Sequence, residues 1–156
     1  MLAYHNDPAQ KDAILAKLSA HRLADELVKG RYWENGKGCA VGCTIESGNH
    51  SEYEPRFGIP RILARLEDRI FEGLPNADAK LWPEKFMGAI RPGADLTMIW
   101  PRFALWILKE ELPQYLTKRP KTAAAIAEVA ALYQEWSDTC KIPTAKRWLD
   151  ARNNAY

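Results

Sequence analysis

Segments of helical spacing follow one another along this chain, and runs that favour strands are almost absent. Most of the ten prolines stand where a helical segment begins, a position that tolerates a missing N–H. Asp7-Pro8 reads as an N-cap followed by proline at the first helical position, with Gln10 in the capping-box place. That helix is expected to run to Lys29 and to stop at Gly30. Ile59-Pro60 opens the clearest helix of all. Ile59, Ile62, Leu63, Leu66 and Ile70 recur on one stripe before Gly73 ends it. Further helices are expected over about 40–47, over 77–90 with a break at Trp82-Pro83, over 120–138, and after Pro143. Only Arg31-Tyr32-Trp33 looks like a strand, and it is too short to count as a sheet.

The segment 96–110 is apolar on every side, with Met98, Ile99, Trp100, Phe103, Ala104, Leu105, Trp106, Ile107 and Leu108. A helix apolar all round is expected to be buried all round. Trp100, Phe103, Trp106 and Ile107 should therefore be buried, with a kink or restart at Pro101. The expected fold is all-α: one domain over 1–156, with seven or eight helices around a central helix at about 96–110. No internal repeat or low-complexity tract breaks the chain.

The charge balance excludes some partners. Twenty-two basic side chains face 20 acidic ones, so the chain carries no electrostatic footprint for nucleic acid or for an anionic membrane. The longest apolar stretch, 96–108, is interrupted by Pro101 and Arg102 and is too short to span a bilayer. No basic segment followed by an apolar one opens the chain, and the three cysteines suit free thiols in a reducing, cytoplasmic setting.

Gly36-Lys37-Gly38-Cys39-Ala40-Val41-Gly42-Cys43-Thr44 is where the sequence hints at chemistry. A thiol at the start of a helix lies in the positive end of its dipole, where a thiolate is favoured. Cys39 with His50 as base would make a minimal thiol dyad. Papain-like enzymes also place cysteine after a glycine turn, but their histidine comes from a sheet far along the chain. Here the histidines are His5, His21 and His50. Cys39, Cys43, His50 and Cys140 would supply four zinc ligands, yet the Cys39–Cys43 spacing is a helical turn rather than a metal knuckle. The reading adopted is of small buried residues on either side of Gly42, with no metal and no cofactor. The polar loop 47–54 is the expected binding region, with His50, Tyr53 and Glu54 on the rim of any site and the Gly38-Cys39 turn beside it.

The helix after Pro60 carries Glu67, Asp68 and Glu72, with Arg61, Arg65 and Arg69 at four-residue spacing. All-helical nucleotide pyrophosphohydrolases gather magnesium with paired acidic residues on facing helices. Asp68 and Glu72 make one such pair, but Glu128 and Glu135 are seven apart and make no second. A solvated face is expected for Asp68 and Glu72, with the arginine ridge compensated by Arg65–Asp68 and Arg69–Glu72. Phe71 falls off the apolar stripe and is read as contacting a second layer or marking a partner surface.

The string Gly38-Cys39-Ala40-Val41-Gly42, followed by Ile62-Leu63-Ala64-Arg65-Leu66-Glu67-Asp68, resembles small helical proteins of bacterial and phage genomes. Those proteins carry a Cys-Ala-x-Gly turn and then a Leu-x-x-Leu-x-Asp-type helix. The likeness covers about a third of the chain. It implies a cytosolic helical fold and no particular activity. Cys43 stands where that pattern has a small apolar residue, which favours packing for this cysteine. The function expected from the sequence is a non-enzymatic binding or regulatory module for a protein or small-molecule partner, with a homodimer as one form. The alternative is a thiol-dependent enzyme using Cys39 with His50.

Overall fold

The computed structural model describes residues 1–116 and 120–153. Among the described residues the protein is all-helical apart from one small hairpin. In order it has α1 (Pro8–Leu23), β1 (Trp33–Glu34), β2 (Lys37–Gly38), α2 (Ala40–Ile45), α3 (Tyr53–Phe57), α4 (Arg61–Gly73), α5 (Asn76–Ala89), α6 (Ile99–Trp106), α7 (Pro120–Thr139) and α8 (Ala145–Asn153). None of the described helices is long and apolar enough to cross a membrane. The chain gathers into two compact units, Met1–Thr97 and Met98–Tyr156.

In the first unit the caps act as the sequence predicts. The Asp7 carboxylate accepts the Ala9 amide at 2.9 Å, and Pro8 opens α1. The helix ends at Leu23 rather than Lys29, because the chain reverses through Asp25, whose φ is 56°. Residues 26–28 then run beside Gly38: the Gly38 amide donates to the Glu26 carbonyl at 3.0 Å, and the Val28 amide to the Gly38 carbonyl at 2.8 Å. Asn35 and Gly36, at φ 52° and 76°, turn β1 back onto β2, pairing Trp33 with Gly38 and Glu34 with Lys37.

The centre of this unit is α2, and all six of its residues are buried. It packs against α1, α4 and α5. Val41 and Ile45 each contribute about 1.5–3 kcal/mol by leaving water. Helix α4 turns inward a face rotated from the expected one, sharing Leu63 with it and leaving Ile62 and Leu66 half-buried against the core. Leu63, Ala64, Glu67 and Phe71 are its buried residues, so Phe71 belongs to the core and marks no partner surface. Helix α5 runs without a break through Pro83, which is buried on a stripe with Ala79 and Met87. Packing against α1 and α4 offsets the backbone hydrogen bond that Pro83 lacks.

The second unit holds α6, α7 and α8. Helix α6 continues into a π-helical turn, Ile107–Glu111, and packs along α7. The expectation of a buried central helix at 96–110 is corrected here. Ile99 and Trp106 are 43% and 49% exposed, Trp100, Phe103 and Ile107 are half-buried, and only Pro101 and Ala104 of α6 are buried. An eight-residue helix covered along α7 has too little neighbouring surface to enclose aromatic side chains on every face.

Candidate functional site

The hairpin delivers Cys39 to the start of α2. Cys39 is the N-cap, with an extended backbone, and its sulfur accepts the Gly42 amide at 3.4 Å. Its own amide donates to the Arg31 carbonyl at 2.7 Å. The segment 31–32 lies so close to this turn that a Cβ on Gly38 or Gly42 would collide with the Tyr32 carbonyl. Gly42 thus admits a neighbouring backbone, that of residues 31–32 rather than another helix.

His50 follows from the connection after α2. It opens a short 3₁₀ turn, His50–Glu52, capped by Asn49, whose Oδ1 accepts the Ser51 amide at 3.3 Å. Its ring packs on Tyr32 with centroids 4.4 Å apart. Nε2 lies 3.6 Å from the Cys39 sulfur. Asp68 completes the group from the middle of α4. One ligand atom from each of Cys39, His50 and Asp68 lies within 4.8 Å of the other two. Asp68 Oδ1 is buried and has no hydrogen-bond partner.

Burial, then the neighbouring Asp68 carboxylate, raises the Cys39 pKa far above the ordinary thiol value. Burial lowers that of His50. Both groups are therefore neutral near pH 7. Cys43, four residues on, faces the other way. Its thiol donates to the Gly38 carbonyl at 3.4 Å and the Glu26 carbonyl at 3.7 Å, and burial pushes its pKa up to about 12. This is the packing role expected of Cys43. Cys140 is exposed beyond α7 in the second unit.

His50 and Asp68 line a cleft of about 720 Å³, within the size range of small-molecule sites, and Cys39 is buried beside them. Residues 30–32 and 48–50 form one side, and the outer face of α4 forms the other. Arg61, Arg65 and Arg69 line that face. The compensation expected for them does not form. Asp68 is turned toward Cys39 and His50, and the Glu72 carboxylate accepts the Gly30 amide at 2.9 and 3.1 Å. Among the described residues, none of these three guanidinium groups has an ion pair or a hydrogen bond.

Of the residues expected on the rim, His50 lies in the cleft wall. Tyr53 is corrected: it is wholly buried, and its hydroxyl donates to Glu67 Oε2 at 2.7 Å. Glu54 is half-buried and caps α4, its Oε2 accepting the Arg61 amide at 2.9 Å. Sequence reasoning also misplaces Asp68, put on a solvated face. Its signal was Ala64, one turn earlier, whose small side chain shares the face with it and leaves room for a neighbour.

No protein-family model, no curated protein and no solved structure matches this chain.

Proposed function

We propose that this protein binds a small anionic molecule, one bearing a phosphate or carboxylate group, in the cleft between residues 30–32, residues 48–50 and α4. The observation that carries this reading is the set of three unpaired guanidinium groups, Arg61, Arg65 and Arg69, on one wall of a cleft of small-molecule size. Like charges repeated every four residues along a helix repel one another, and an anion between them removes that repulsion. Guanidinium groups also offer paired donors that match phosphate and carboxylate oxygens. Tyr32, 63% exposed and packed on His50, adds an aromatic surface at the edge.

The test is calorimetric titration of the full chain with a panel of phosphorylated and carboxylated small molecules. At least one is expected to bind, with affinity that falls as salt rises. Replacing Arg65 and Arg69 by alanine is expected to weaken that binding about tenfold or more. Unchanged affinity in the double variant, or no binding across the panel, would overturn the reading.

The contact between Cys39 and His50 favours a second reading, a thiol-dependent enzyme. Asp68 opposes it, because a carboxylate beside the sulfur disfavours a thiolate. Alkylation of the native protein separates the two. A nucleophile reacts well below the usual thiol pKa of about 8.5, whereas a packed thiol reacts only on unfolding.

A further inference from the structure

Cys39, His50 and Asp68 differ from a nucleophile–base–orienter relay in one respect. In a relay the carboxylate binds the far nitrogen of the imidazole, and the three groups form a line. Here the sulfur, the imidazole nitrogen and a carboxylate oxygen converge as a triangle. We infer that Cys39, His50 and Asp68 form a three-ligand site for a zinc ion at the base of the cleft.

The distances suit that ion. Zinc binds thiolate at about 2.3 Å and imidazole at about 2.0–2.1 Å, so tetrahedral angles separate S and N by about 3.6 Å. The Cys39 sulfur and His50 Nε2 are 3.6 Å apart. Asp68 lies within 4.8 Å of both, a gap that a small rotation of its side chain closes. A second observation points the same way. Asp68 Oδ1 is buried without a hydrogen-bond partner, an arrangement that costs free energy unless something positive meets it. The Gly42 amide, which donates to the sulfur at 3.4 Å, is placed to support a metal thiolate from behind.

The donor set selects the metal. One sulfur and one nitrogen are too soft for magnesium or calcium, and borderline zinc takes sulfur, nitrogen and oxygen together. The charges balance: Zn²⁺ takes the place of the thiol proton, which leaves to solvent, and the thiolate and carboxylate neutralise the ion. Three protein ligands leave a fourth position for water or for an anionic group from the cleft, the arrangement of reactive rather than structural zinc. This inference goes beyond the anion-binding reading and does not depend on it.

The full chain, stripped with a chelator, is titrated with zinc against a fluorescent competitor and with cobalt(II) by absorption. One equivalent of each is expected to bind, with a thiolate-to-cobalt charge-transfer band. His50→Ala and Asp68→Ala are each expected to weaken zinc by about a hundredfold, and Cys39→Ser to abolish the band. Cys43→Ser, Cys140→Ser and Arg65→Ala should bind zinc like the parent chain. If Cys39→Ser does not fold, the His50 and Asp68 variants, with folding checked by circular dichroism, decide the matter. Absence of stoichiometric binding to the parent, or undiminished binding by the His50 and Asp68 variants, overturns the site. Loss of anion binding in the arginine variants with zinc affinity intact would separate the two proposals.

Discussion

The two units bury different things. Residues 1–97 enclose Tyr4, Tyr53, Phe71 and even Glu67, and the hydrophobic core cluster runs from Ala3 to Met87. Residues 98–153 bury Ala104, Ala125, Ala130, Ala151, Leu132 and two prolines, while their aromatic side chains stack at partial exposure. Yet α6 carries the bulkier apolar side chains, Ile99, Trp100, Phe103, Leu105 and Trp106, whereas α2 carries a glycine, a threonine and a cysteine. Apolar bulk therefore does not decide which helix is enclosed. Short side chains let backbones approach until nothing else fits, and polar groups at that depth are held by hydrogen bonds. Thr44 Oγ1 donates to the Ala40 carbonyl at 2.8 Å, and Tyr4 OH to the Met87 carbonyl at 2.6 Å.

The largest effect that tests this contrast is Gly42→Ala. The added methyl would collide with the Tyr32 backbone, which no side-chain rotation relieves. A loss of about 3 kcal/mol or more is expected in urea unfolding. Gly73→Ala is the control: its Cβ meets nothing within 4 Å, and a gain of about 0.5 kcal/mol is expected. If the two variants unfold alike, close backbone approach is not what organises the first unit.

Glu67 sharpens the same point through pH. Burial first, with Asp68 adding to it, pushes its pKa up to about 8, although the Tyr53 hydrogen bond pulls the other way. The unfolded chain returns it to an ordinary value near 4.5. A raised pKa means that the folded state holds the proton more tightly. Its contribution is complete below about pH 4.5 and is lost as pH climbs toward 8. Stability of the chelator-treated chain should thus fall across that window by a few kcal/mol, at about 1.4 kcal/mol per unit. Glu67→Gln should flatten the slope, and equal slopes in the two proteins would contradict the burial argument. Tyr53→Phe is expected to cost about 1–3 kcal/mol, because Glu67 Oε2 loses its donor.

Helices α4, α7 and α8 were legible because each begins at or just after a proline, Pro60, Pro120 and Pro143, and Gly73 ends α4. The hairpin was missed although Asn35-Gly36 is the residue pair that its turn demands. Glu67 explains the misreading of the site. A carboxylate in the middle of a buried face looks like its edge, so the stripe Ile59, Ile62, Leu63, Leu66 and Ile70 reads as the inward face, of which Ile59 and Leu63 are buried and Ile62, Leu66 and Ile70 only half-buried. Asp68 was thereby turned to solvent. The left-handed run Tyr4-His5-Asn6 left no trace in the sequence, since it contains no glycine. It is held by distant contacts: Tyr4 OH on the Met87 carbonyl, and Asn6 against Gly93, where a Cβ would strike the Asn6 side chain.

Trp106 probes the second unit. At 49% exposure it gives up little on truncation, and Trp106→Ala is expected to cost no more than about 1 kcal/mol. Iodide should quench a clear part of the fluorescence of the parent chain, and that part should vanish in the variant. Trp106→Ala costing as much as a core truncation, about 3–5 kcal/mol, would show that α6 is central after all.

The smallest expected effect concerns Cys140. It follows the last residue of α7 with φ of 57°, and its amide donates to the Trp136 carbonyl at 2.9 Å. This is the left-handed position that ends many helices, and glycine is its preferred occupant because a Cβ there is crowded. Cys140 is exposed, so its side chain gives no burial in return. Cys140→Gly removes a strain of about 1–2 kcal/mol and gives back part of it through the freer unfolded chain. A net gain of about 0.5 kcal/mol is expected, read as a small rise in the urea midpoint with an unchanged slope. Cys140→Ala keeps the Cβ and should gain nothing, so the pair isolates backbone strain from the loss of a thiol. In the parent protein the same exposure makes Cys140 the cysteine that iodoacetamide labels first, ahead of Cys39 and Cys43, which are both buried. Equal labelling of all three in the native protein would mean that the first unit opens as readily as the second, and the contrast between them would fail.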